Sequence, residues 1–149
     1  MKLRIATASV FLWIGFVCAI SFMDAWLKFK APGIDLKLGL GIGRLVFGAL
    51  NKVEWVLALA IVADVLLAKS RMLKSRNLFP ALAVTILLIQ TFWLLPELDS
   101  RAELILQDEA VPESGLHIFY VIVELIKVVS LVIFGVQLLK QNHHVRNTR

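Results

Sequence analysis

Four apolar segments divide the chain, and they differ in how many polar residues they tolerate. Ile5 to Met23 is uncharged and close to the ~20 residues that cross the hydrocarbon of a bilayer. The amphipathic Trp26 follows it, so a first span is expected over about 5–27. Leu78 to Leu95 is equally clean, with Pro80 in a first turn that has no use for its missing N–H. The second segment, about 43–68, is interrupted by Arg44, Asn51, Lys52, Glu54 and Asp64; the fourth, about 116–139, by Glu124 and Lys127. A charge at a helix centre costs ~2.5–3.5 kcal/mol, whereas each flanking Leu, Ile, Val or Phe returns ~0.3–0.6 kcal/mol. Both segments therefore remain spans if a bundle shelters their charges. The pattern predicts an all-α integral membrane four-helix bundle forming one domain over 1–149.

Helical angle says where the intruding polar groups go. At ~100° per residue, His117, Tyr120, Glu124 and Lys127 fall within one wedge of the fourth span, and Arg44, Phe47, Asn51 and Glu54 repeat the same spacing on the second. Spans two and four run in the same direction. If they are neighbours, Glu54 comes level with Lys127, and Asn51 with Glu124. A buried charge with an opposite partner avoids much of the penalty of either alone, so a Glu54–Lys127 pair is expected. Asn51, Glu124 and His117 would stack outward from it, and Asp24 and Gln90 lie on the same side.

The connecting segments are more than linkers. "FKAPGIDLKLGLGIGR" has a Pro32–Gly33 turn and then alternates apolar and small residues, which suits a chain lying along the outer interface before span two. "GLGIGR" lacks the preceding strand and the terminal Lys-Ser/Thr of a phosphate loop. Ser100 and Glu103 have capping-box spacing, predicting a short outer-loop helix over about 100–107.

Composition agrees with a lipid-embedded chain: 59% of the residues are hydrophobic and the mean hydropathy is +0.81. The formal charge of +5 would suit nucleic acid in a soluble protein, but here it follows from basic residues collected on one side of a membrane. With four spans, the N-terminus, the second loop and the tail share a side. They carry Lys2, Arg4, Lys69, Arg71, Lys74, Arg76, Lys140, Arg146 and Arg149 without an acid. The positive-inside rule places that side, and both termini, in the cytoplasm. Asp64 would pair there with the Lys69/Arg71 cluster. The first segment has the basic start of a signal peptide but no small-x-small cleavage site, which favours an uncleaved span. The single cysteine, Cys18, excludes an intrachain disulfide and reads as a small buried hydrophobe. Gly15, Gly48 and Gly135 would permit close helix approach.

Candidate chemistry is confined to the polar wedge: Arg44, Asn51, Glu54, His117, Tyr120, Glu124, Lys127 and Asp24. There is no Ser–His–acid arrangement on one element, no HExxH, and no second intramembrane His to bracket a haem, so neither a catalytic residue nor a cofactor is nominated. His143 and His144, adjacent in a basic tail, are weak metal ligands, and the metal question stays open. Two readings of the wedge stand side by side. It is a packing lock that fixes helix register, or it binds and moves a proton or small cation, with Glu124 the best carrier. The lock suits a non-catalytic subunit or assembly factor of a larger membrane complex; the second suits a transporter. The expected partners are the lipid bilayer and a homo-oligomer or larger membrane complex, with no nucleic acid.

The blocks "ISFMDAWLKFKAPG", "GLGIGRLVFGALNKVEW" and "LDSRAELI…HIFYVIVELIK" resemble those of a family of small, uncharacterised bacterial four-span membrane proteins, over about residues 20–127. The resemblance implies an inner-membrane location and a four-helix fold, and it places the polar wedge in the family pattern. It implies no activity.

Overall fold

The computed structural model describes residues 4–67, 78–112 and 114–147, the stretch 141–147 as backbone only. Among these residues the chain is helical throughout its long elements, and four helices are long and apolar enough to cross a membrane. We label them α1 (Ile5–Lys30), α2 (Leu36–Leu67), α3 (Leu78–Leu106) and α4 (Leu116–Lys140), the last continuing helically to Asn147. The protein is an all-α membrane four-helix bundle.

Consecutive helices are neighbours: α1 packs along α2 and α4, α3 packs along α4, and α2 meets α3 through the latter's last turns. In this ring α2 and α4 face each other across the bundle axis. The expectation that spans two and four lie side by side is thereby corrected. Short connections join consecutive antiparallel helices first, which leaves the two parallel pairs as diagonals.

The end that carries the chain's termini is dry. Ala6, Val10 and Trp13 of α1 pack there on Ala58 and Ile61 of α2, Ala83 and Leu87 of α3, and Leu131, Phe134 and Leu138 of α4. Outside, large apolar side chains such as Leu45, Leu66 and Phe92 stand exposed, as a lipid-facing surface requires. Cys18 is on that exposed surface rather than buried. A thiol makes no demand for shelter, so its position is set by the helix face it falls on. Gly135 fits the close approach expected of it, since a Cβ there would sit 3.1 Å from Phe11 and 3.2 Å from Val10. Gly15 and Gly48 face open space instead.

Two helix starts differ from the sequence reading. The chain turns at Gly33, whose φ of +83° only glycine adopts without strain. Helix α2 then begins at Leu36, well before residue 43. Asp35 accepts the Leu38 N–H at 2.7 Å and so satisfies one of the orphan donors of the first turn. Gly39 lets the extra turns pack, because a Cβ there would lie 2.1 Å from the Phe29 ring. The separate helix expected over 100–107 is instead the end of α3. Helical backbone runs unbroken through Pro96, and Ser100 donates to the Glu97 carbonyl rather than capping a new start. Asp64 accepts the Ala6 N–H at 2.8 Å, capping the start of α1 from the neighbouring α2. The basic residues expected beside it, and most of those that set the orientation, lie outside the described residues.

Two stretches wind as π-helix: Cys18–Asp24 in α1 and Gln90–Leu94 in α3. Such wide turns inside helices shift the faces beyond them and are frequent at functional sites. Each contributes one polar side chain to the centre of the bundle.

Candidate functional site

The centre is a polar cluster to which all four helices contribute. Lys127 of α4 is fully buried, as is Glu124 one turn before it, and Glu54 of α2 is 2% exposed. The Lys127 ammonium reaches across the axis to form an ion pair with Glu54 Oε1. It also donates to Gln90 Oε1 of α3 at 2.6 Å and lies 2.8 Å from Glu124 Oε2. Gln90 has its other end in use, since Nε2 donates to Glu124 Oε2. From α1, Trp13 Nε1 donates to Glu54 Oε1 at 2.7 Å, and Ser21 Oγ donates to Glu124 Oε1 at 2.8 Å.

The physical reason for this arrangement is the cost of isolation. An uncompensated charge in the hydrocarbon is expensive, so each carboxylate is surrounded by donors and the ammonium by acceptors. The Lys127 ammonium donates to Glu54 and Gln90 and has the Glu124 carboxylate beside it as a second counter-charge. Only a long side chain spans a bundle diagonal, which is why Lys127 makes the crossing.

Sequence reasoning named Glu54, Glu124 and Lys127 and noted Gln90, but it passed over Trp13 and Ser21. The signal for both was available. A serine in an apolar span needs a partner, and an indole N–H in mid-span does too. What had no signal was the π-turn at each of Ser21 and Gln90.

Of the remaining candidates Tyr120 borders the cluster, hydrogen-bonded to Ser21, and the others are elsewhere. Asn51 does not bond to Glu124. It is too short to cross the axis and turns to α3, where its Nδ2 donates to Thr91 Oγ1 at 2.9 Å. Trp55 Nε1 donates to the same hydroxyl at 3.0 Å. Tyr120 is buried and meets Phe47 edge to face across the axis at 5.6 Å. Arg44 is at the distal rim, the end away from the termini, and donates to both Asp99 oxygens, at 2.6 and 3.0 Å, and to Glu103. Asp24 lies 3.4 Å from Lys28, one turn on. His117 is exposed at the start of α4, with no place in the buried cluster. One mid-span polar pocket was expected; there are two layers, a dry cluster and a wetter rim.

Between the layers is a cavity of about 660 Å³. Asn51, Thr91 and Tyr120 line it towards the cluster, and Lys28, Arg44, Asp99 and His117 line it towards the distal end. Its walls between these are apolar, with Phe29, Leu40, Phe47, Leu95 and Leu98.

The chain gives no match among protein-family models, curated proteins or solved structures. Its reading therefore rests on this geometry. Among the described residues no group of His, Cys, Asp and Glu has the arrangement to hold a metal ion. His143 and His144 fall where only the backbone is described.

Proposed function

We propose that the protein is a multi-pass membrane protein that takes up and releases one proton, or a small cation in its place, at the Glu54–Glu124–Lys127 cluster. The observation that carries this reading is the charge count. Two carboxylates share one ammonium in a core that water does not reach. Ionised throughout, the cluster holds one net negative charge, and a bound proton neutralises it. Glu124 is the carrier, because both of its hydrogen bonds come from neutral groups, Ser21 and Gln90, and the ammonium meets it only as an ion pair. The cavity above Tyr120 and Asn51 supplies the route to the distal side. By basic-residue asymmetry and family resemblance we place the chain in a bacterial inner membrane with both termini cytoplasmic. Four spans enclose little room for a path, so a transporter of this kind would work as a homo-oligomer or within a larger complex.

A carboxyl-stretch infrared titration of the protein in nanodiscs tests the reading. We expect a protonated-carboxyl band that comes and goes with proton uptake in the wild-type protein and is absent from Glu124→Gln. A band that does not change, or that persists in Glu124→Gln, overturns it.

A specific observation favours a second reading, a packing lock in a non-catalytic subunit or assembly factor. Lys127 is already paired within the protein, with Glu54 and Glu124, and also donates to Gln90. Glu124→Gln separates the two: it leaves the Glu54–Lys127 pair intact, so a lock keeps its fold and its function, whereas a carrier keeps its fold and loses its proton band.

A further inference from the structure

We propose that the distal cavity binds an anionic amphiphile, its head on Lys28 and an apolar chain between the walls formed by α2 and α3. This site lies in the cavity that opens above the cluster, outside the cluster itself, and its binding does not depend on proton exchange there.

The argument starts from Lys28. Its side chain is 9% exposed, and its ammonium lines the cavity. An ammonium that deep ordinarily has close anionic or carbonyl partners. Lys28 has one carboxylate within ion-pair range among the described residues, Asp24 at a long 3.4 Å, and Asp24 is not part of the cavity wall. The rings of Phe29 and Phe47 complete its surroundings, at 5.7 and 5.6 Å from the charge. Gly43 makes room for it, since a Cβ there would lie 3.1 Å from Nζ.

The other charges near the cavity are placed differently. Arg44 is engaged by Asp99 and Glu103, which stand at the wetter rim with half of their side chains exposed. His117 is also on the exposed rim. Solvent screens those acids, whereas the buried ammonium acts on the cavity with little screening. The interior field thus favours a negative head beside Lys28. Below it, Phe47, Leu95 and Leu98 offer a chain an apolar lining. At the bottom, Asn51 and Thr91 bond to each other, and Thr91 also donates to the Leu87 carbonyl at 2.7 Å, so they present little unmet polarity to the end of a chain. The volume falls in the ~300–1,000 Å³ range of small-molecule sites.

Both a free fatty acid and an anionic phospholipid of the surrounding leaflet carry this chemistry. Native mass spectrometry of the full chain, released from neutral detergent micelles, distinguishes them. The ligands are palmitate, phosphatidylglycerol, hexadecanol and hexadecyltrimethylammonium. We expect one equivalent of palmitate or of phosphatidylglycerol to be retained, and whichever is retained names the source. Hexadecanol and the cationic amphiphile should be retained about tenfold less. Lys28→Gln should lower retention of the anion about tenfold, Lys28→Arg should keep it, and Lys52→Gln, on an exposed face, should leave it unchanged. Equal retention of the alcohol or the cation by the wild-type protein overturns the proposal, as does unaltered anion binding by a folded Lys28→Gln. If Lys28→Gln does not fold, the head-group series on the wild-type chain and Lys28→Arg decides alone: no preference for the anion, or its loss in a folded Lys28→Arg, rejects the site.

Discussion

The cluster at the bundle centre and the network at its distal rim are built from the same side-chain types, yet they obey different physics. At the centre, Lys127, Glu54 and Glu124 are almost entirely shut off from solvent, and three neutral donors or acceptors complete their shells. At the rim, Arg44 holds Asp99 and Glu103, and Lys37 holds Asp108 at 2.6 Å, all of them in contact with solvent. The central charges cannot exchange a lost partner for water, while the rim charges can. A buried pair therefore adds little over an apolar substitute but is costly to break, and an exposed pair matters little either way. Most of the interlocking of the four helices comes from the region with fewer charges.

Removing the ammonium should give the largest effect. Lys127→Met leaves two carboxylates facing each other in the core, and we expect a loss of about 3–5 kcal/mol in reversible unfolding from mixed micelles. Adding Glu54→Gln and Glu124→Gln to that variant should restore most of it, since a neutral cluster has nothing left uncompensated. A triple variant no more stable than Lys127→Met would mean that hydrogen bonds, not charge, hold the centre.

A smaller effect is expected from the packing of the distal end. Gly39→Ala places a methyl against the Phe29 ring, which is partly exposed and able to swing outward. The cost should be about 1 kcal/mol, the low end of overpacking. Fluorine NMR of a fluorophenylalanine-labelled chain, with Phe29→Leu used to assign the signal, should show that ring moving while the resonance of buried Phe134 stays in place. The smallest effect belongs to the rim. Arg44→Gln should change the unfolding midpoint less than either variant above, and the difference should vanish in about 1 M salt, where screening is strong. A salt-independent loss as large as that of Lys127→Met would erase the distinction between the regions.

The same contrast explains which parts of the site were legible in the sequence. Glu54 and Lys127 could be paired in advance because each is costly alone and both lie on the inward face of an apolar helix. Arg44, Asn51 and His117 shared that face by angle but not by environment. Helical angle gives the direction of a side chain, not its depth or the identity of its neighbour. Near the distal end the bundle opens into a cavity, so an inward direction there leads to water or to an adjacent helix. The Ser100–Glu103 spacing misled for a related reason: a capping box starts a helix only where the preceding backbone is not already helical.

The sequence by itself determined that the chain is a four-helix membrane bundle and that a carboxylate and an ammonium must meet inside it. Apolar length and the cost of bare charge leave no other arrangement. Only the tertiary structure decided that the meeting takes place across a diagonal and that Glu124 and Gln90 join it. It also decided that Trp13 and Ser21 close it from α1, and that a cavity separates it from the rim. Those outcomes depend on which helices are adjacent and on two π-turns that reset the face of a helix partway along. Both are settled by packing among segments far apart in the chain, which local pattern does not encode.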